Sequence, residues 1–248
     1  MKKPLIVGVV GLFIGYVAYL LYSLFLSSAP LNQSTGGLVA IVVGVLFFFV
    51  AWLYYQPKTT QAPQAPGEKK KLWKFGTREV VYSAIGAALY AVLSLATNWM
   101  QLPSAGNVTI RPAVVIPLFF GVVFGPIVGF ITGFLGNIIS DLIAGYGLWI
   151  WWDLGNGIIG LVPGLIAVWM TSYKAVKDIV WAEVFAFLGV ILGMGLASVS
   201  EMWVSGADVN TVIFANFIPA IVPDLLNGLI LLPILMIAYA AILKRSGR

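Results

Sequence analysis

Ten polar side chains stand out because they sit in otherwise apolar runs: Asn98, Arg111, Asp141, Trp152, Asp153, Asn156, Glu201, Asn216, Asp224 and Asn227. They are carboxylates, amides, one guanidinium and one indole. With no Cys and no His in 248 residues, thiol nucleophiles, disulfides, the usual zinc sites and His-based triads are excluded. No G-x-x-x-x-G-K-[ST] loop is present, so the chain has no P-loop of its own. What these residues can do is recognise a ligand by hydrogen bonds, charge and ring stacking. No catalysis, cofactor or metal is expected. Against Arg111, the only basic residue that the topology drawn below places outside, stand Asp141, Asp153, Glu201, Asp208 and Asp224. That surplus favours a ligand that is cationic or rich in hydrogen-bond donors, and indole faces suit cations and flat rings alike.

Residues 111–164 hold the densest group: Arg111, Asn137, Asp141, Asp153 and Asn156, in a run cut by Gly and Pro. A charged side chain at the centre of a membrane helix costs about 2.5–3.5 kcal/mol on insertion scales. A helix that only anchors a protein has no use for such groups.

The elements that must position them are membrane helices. The chain is 60% hydrophobic and 9% charged, with a mean hydropathy of +0.99. Eight apolar segments can be drawn, at about 4–26, 38–55, 79–99, 112–124, 127–143, 153–170, 181–203 and 212–243. A spanning helix needs about 20 residues. The segment 112–124 is short and is expected to be kinked or partly spanning, shielded by its neighbours. The last contains Pro219, Pro223 and Pro233, so a bend is expected. Lys2 and Lys3 before an apolar run resemble a signal peptide, but the run is long and reads as a retained helix.

With the N-terminus in the cytoplasm, alternating segments place thirteen of fourteen basic residues inside, and only Arg111 outside. Both termini are then cytoplasmic, in a multi-pass protein of the cell membrane. Basic loops account for the net charge of +5 without nucleic acid. Three units follow: a two-helix unit over 1–55, a Pro/Gln/Lys-rich cytoplasmic linker over 56–77, and a six-helix unit over 78–248. The linker composition cannot build a core, and its lysines suit anionic lipid heads.

Small residues at i, i+4 spacing allow close helix packing in lipid. Three such rows end in polar residues: Gly129, Gly133, Asn137, Asp141; Gly189, Gly193, Ala197, Glu201; and Asn216, Ala220, Asp224, Gly228. The topology puts the polar ends in the outer half. It predicts an outward pocket, with Trp149, Trp151 and Trp152 beside it. Each residue also has a plainer reading. Gly rows can be packing alone, the Trp cluster an interfacial belt, Asp153 a helix N-cap, and Asp141 and Glu201 headgroup residues. Arg111 is expected to pair with an acid such as Asp141 or Asp153, or to hold an anionic ligand group. Glu183, beside Trp181, reads as interfacial.

The run FGPIVGFITGFLGNIISDLIAGYG, followed by WWDLGNGIIGLVPGLIA, resembles the substrate-binding S component of energy-coupling factor (ECF) vitamin transporters, the riboflavin-type branch most of all. The resemblance spans about residues 78–245. It implies an all-α integral membrane fold, a six-helix S-component bundle, here preceded by the extra two-helix unit. It implies capture of a vitamin or precursor, riboflavin-like or another small heterocycle, from outside. It places the pocket at the loop Asn98–Arg111 and at the regions of Asp153, Glu201 and Asn216. It implies a transmembrane T subunit docking on an A-x-x-x-A patch, Ala84 and Ala88, with Ala87 and Ala91 as the overlapping alternative. Two separate ATPase subunits would supply energy. The alternative from the residues alone is a solitary ion-coupled transporter using Asp224 or Glu201.

Overall fold

An apolar chain in hydrocarbon must satisfy its backbone hydrogen bonds within each segment, which helices do. The computed structural model describes residue 73, residues 75–100 and residues 110–245. The expected N-terminal helix pair, the linker through residue 72 and residues 101–109 of the Asn98–Arg111 loop lie outside the described residues. Among those described there are six α-helices and no strand: α1 Thr77–Thr97, α2 Val115–Phe124, α3 Pro126–Ala144, α4 Ile150–Gly164, α5 Val176–Val204 and α6 Ile218–Arg245. The 3₁₀ turns Pro112–Val114 and Leu165–Val168 extend α2 and α4, and a π-helical turn, Thr211–Phe217, leads into α6. Five helical stretches are long and apolar enough to cross a membrane. The chain is a multi-pass membrane protein.

The stretch Pro112–Phe124 is the exception. At 1.5 Å per residue it is about 20 Å long, short of a hydrocarbon core of about 30 Å. Its neighbours enclose it, and Val114, Leu118 and Val122 are fully buried in the core with Ile159, Met194, Leu232 and Met236. Pro112 disfavours the helical region for the residue before it. Arg111 accordingly sits at φ −113°, ψ 80°, just outside the helix. At the other end Gly125 turns the chain at φ 102°, a left-handed value that favours glycine, and Pro126 opens α3.

The helix α4 is the centre of the bundle, and the glycine rows are what let neighbours approach it. A Cβ on Gly129 would strike the Gly160 carbonyl, and one on Gly133 the Asn156 carbonyl. From the other side, a Cβ on Gly193 would strike the Gly155 carbonyl, and one on Gly189 would lie 3.0 Å from the Ile159 oxygen. Backbone therefore meets backbone on both flanks of α4. That contact carries van der Waals packing where lipid supplies no hydrophobic force.

The helix α6 runs unbroken through Pro223 and Pro233. Its irregularity is concentrated earlier than the bend expected from the sequence, in the π-helical turn just before Pro219. Pro219 has no N–H to give to the preceding turn, and local widening relieves that gap. The Thr211 N–H donates to Asp208 Oδ1 at 2.7 Å at the start of this turn, which holds that exposed carboxyl below its usual range.

Glu183, expected at the membrane interface, is half-buried. Both carboxyl oxygens are shielded and have no hydrogen-bond partner among the described residues. An unsatisfied buried polar group costs about 1–3 kcal/mol. Glu183→Leu is therefore expected to raise the thermal unfolding midpoint of the purified protein. A midpoint at or below that of the parent would show that the carboxyl is satisfied.

Candidate functional site

The ends of α1, α3 and α5 meet the starts of α2, α4 and α6 at one end of the bundle. Asn98 Nδ2, after α1, donates to the Tyr146 hydroxyl, after α3, at 3.0 Å. The rings of Trp151 on α4 and Trp203 on α5 pack edge to face at 5.5 Å. At the opposite end, Tyr82, Phe124, Tyr173 and Tyr239 form an aromatic cluster.

One to two turns below the first end lies a buried polar cluster centred on Asn137. Its Nδ2 donates to Asp141 Oδ2 at 2.8 Å and to Asp153 Oδ1 at 2.9 Å. Its Oδ1 accepts from Arg111 Nη1 at 3.4 Å and lies 3.2 Å from the Tyr90 hydroxyl, which donates to Asn156 Oδ1 at 2.9 Å. Arg111 Nη2 donates to Asp224 Oδ2 at 2.8 Å, an ion pair in which Asp224 is 1% exposed.

Local sequence explains this convergence. Asn137 and Asp141 are one turn apart at the end of the Gly129–Gly133 row, so the contact that brings α3 onto α4 also presses Asn137 towards Asp153 and Asn156. The Asn156 Nδ2 is anchored on its own helix by the Trp152 carbonyl at 2.9 Å. The helix α3 ends at Gly145, φ 78°, where the Tyr146 N–H donates to the Asp141 carbonyl at 2.9 Å.

Six expected residues are placed in or against this network: Arg111, Asp141, Asp153, Asn156 and Asp224 within it, and Trp152 beside it. Trp152 Nε1 donates to Glu201 Oε1 at 2.9 Å, and Glu201 is buried. The expected partner of Arg111 is corrected. It pairs with Asp224, not with Asp141 or Asp153, because it precedes a half-length helix and so enters the bundle at the depth of Asp224. Among the described hydrogen bonds, it is joined to the other two acids through Asn137. Asp153 is not an N-cap either: α4 begins at Ile150, and Asp153 lies in its first turn.

Other residues stand apart. Asn98 is a rim residue paired with Tyr146. Asn227 donates to the Pro223 carbonyl of its own helix at 2.8 Å. Asn216 is buried in the π-helical turn, and none of the described hydrogen bonds joins it to the cluster. On α1, Ala84 and Ala88 are exposed, whereas Ala87 and Ala91 are buried. The overlapping alternative is thereby corrected: Ala87 and Ala91 face inward, where a Cβ on Gly136 would lie 3.0 Å from the Ala87 carbonyl oxygen and 2.6 Å from the Tyr90 ring.

Tyr90 is the residue that sequence reasoning missed. Its signal was the row Ser83, Ala87, Tyr90, Ala91 and Ser94, all buried. A lone large polar residue on a face of small ones marks where a helix reaches into its neighbours.

Residues 74–241 match the family model described as "ECF-type riboflavin transporter, S component". A UPF0397 protein of Vibrio atlanticus is 38% identical over 148 residues, which is 57% of this chain and 75% of the relative. A UPF0397 protein of Aliivibrio salmonicida is 38% identical over 126 residues, and one of Aliivibrio fischeri 39% over 127; each match covers 49% of this chain and 68% of the relative. No solved structure matches the chain.

Proposed function

Because this chain belongs to the family of ECF-type riboflavin transporter S components, we propose that it captures a vitamin or vitamin precursor for an ECF-type importer. The ligand is a small heterocycle, riboflavin-like or otherwise, taken from outside the cell. The observation that carries this reading is the family match over residues 74–241. The buried cluster around Asn137 supplies groups suited to ligand recognition. Both termini are cytoplasmic on the basic-residue asymmetry, which turns the end holding the cluster outward.

A transmembrane T subunit docks on α1 through the exposed Ala84 and Ala88, and two separate ATPase subunits supply energy. The chain itself is not an enzyme. The extra N-terminal unit over 1–55 and the linker over 56–77 precede the capture domain.

The test is expression of the full chain alone and with a T subunit and its ATPases, followed by uptake of labelled riboflavin and other vitamins into vesicles. Uptake is expected only in the complete assembly and only with ATP. Uptake by the chain alone, driven by a proton or sodium gradient, would instead establish the solitary carboxylate-coupled transporter.

A further inference from the structure

The helix α6 is held to the bundle by two different kinds of contact. It packs on α5, on α2 and on the 3₁₀ turn before α2, and of the five spanning stretches it is the least enclosed by its neighbours. In the half far from the polar cluster, Leu232 and Met236 are fully buried in the apolar core. There the Tyr239 ring also packs edge to face on Phe119 at 5.7 Å and on Tyr173 at 5.2 Å. In the half beside the cluster, residues 218–228, the buried positions are Ala220, Pro223, Asp224 and Gly228. Partly buried apolar residues flank both halves, Ile221 and Leu225 in one and Leu231 and Leu235 in the other. The difference is that the deepest side chain of the cluster half is a charge, Asp224, paired with Arg111 at 2.8 Å.

A buried ion pair is a poor permanent fastener, because apolar residues of similar volume often hold as well or better. It is a reversible one. The Arg111 guanidinium is already 18% exposed, and water entering the gap on separation would hydrate both partners. The backbone supplies a pivot. Pro233 has no N–H to give to the Leu229 carbonyl one turn earlier, and Gly228, at the boundary of the two halves, carries no Cβ. At its other end the cluster half joins the π-helical turn Thr211–Phe217, a widened turn of a kind that often marks functional positions. Directly behind the ion pair lies the cluster, since Arg111 Nη1 donates to Asn137 Oδ1 at 3.4 Å.

We propose that residues 218–228 form a movable arm, clasped shut by the ion pair of Arg111 with Asp224 and pivoting between Gly228 and Pro233, and that its opening uncovers the polar cluster from the side of α6. The proposal rests on the capture reading only for what the arm admits. The motion itself follows from the contacts of α6.

The chain has no Cys, so spin labels attach only where a Cys is introduced. One labelled pair joins Ile143→Cys, near the end of α3, to Val222→Cys on the arm. A reference pair joins Ile143→Cys to Ile237→Cys in the far half, and all three positions are exposed. Pulsed EPR on the full chain in lipid nanodiscs, without ligand, is expected to show longer distances between positions 143 and 222 in Asp224→Asn than in the parent, and longer still in Asp224→Ala. Distances between 143 and 237 should stay as in the parent. Adding Pro233→Ala restores the missing N–H and should reverse the shift. Hydrogen exchange on the parent needs no variant: the amides of residues 218–228 should exchange at least about tenfold faster than those of residues 234–241. Unaltered distances between 143 and 222 in both Asp224 variants, or equal lengthening of both labelled pairs, overturn the arm and leave capture standing. Equal exchange in the two halves overturns it even if neither Asp224 variant folds. Absence of vitamin uptake by the complete assembly in vesicles overturns capture and leaves the arm.

Discussion

Asp224→Ala is expected to cost about 3–5 kcal/mol of stability, the range for leaving one member of a buried ion pair without its partner. The Arg111 guanidinium is 18% exposed and the Asp224 side chain 1%. Truncating the acid strands a cation against Asn137 in a low-dielectric interior. Asp224→Asn should cost less, because the amide oxygen still accepts from Arg111 Nη2. The double variant Arg111→Met, Asp224→Leu should recover much of the loss, because it removes both charges and fills the space with apolar atoms. Denaturant or thermal unfolding in one detergent compares all four proteins. An Asp224→Ala protein as stable as the parent would mean that Arg111 finds another counter-ion and that the pair contributes little.

Gly133→Ala should destabilise by about 3 kcal/mol or more, above the usual overpacking range because both surfaces are backbone. The added Cβ would fall on the Asn156 carbonyl oxygen and 2.6 Å from its carbon. Neither can rotate aside, so α3 must move off α4. Asn137 would move with it and leave Asp153 and Asn156, so ligand binding should be lost together with stability. Gly195→Ala on α5 is the control, since its Cβ would meet only the Phe217 ring edge at 3.9 Å. There the higher helix propensity of Ala, up to about 1 kcal/mol over Gly, should leave stability unchanged or raised. Equal midpoints for the two Ala variants would show that the α3–α4 seam is not close-packed.

The helices were legible because hydrocarbon leaves a chain few choices. The segments read from the sequence at 127–143 and 212–243 correspond to α3 at Pro126–Ala144 and to the helical stretch Thr211–Arg245. The small-residue rows were legible for a related reason. In a helix the i, i+4 spacing fixes which residues share a face, so Gly129 and Gly133 point the same way as Asn137 before any neighbour is known. Less legible was the π-helical turn before Pro219. A proline announces a missing donor but not whether the chain answers with a bend or with a wider turn.

The sequence by itself determined that this is a multi-pass helical membrane protein, that it lacks Cys and His chemistry, and that acids and amides gather towards one end of its helices. These follow from composition and periodicity, which are local. Only the tertiary structure decided the pairings. It put Arg111 on Asp224, 113 residues away. It made Asn137 the hub and brought in Tyr90, and it buried Ala87 and Ala91 while leaving Ala84 and Ala88 exposed. The reason is geometric. Periodicity says which face of a helix a residue lies on. It does not give the depth at which a half-length helix starts or which face of a neighbour it meets. Those are set by backbone contacts at α4, where glycines on three helices allow carbonyls to approach.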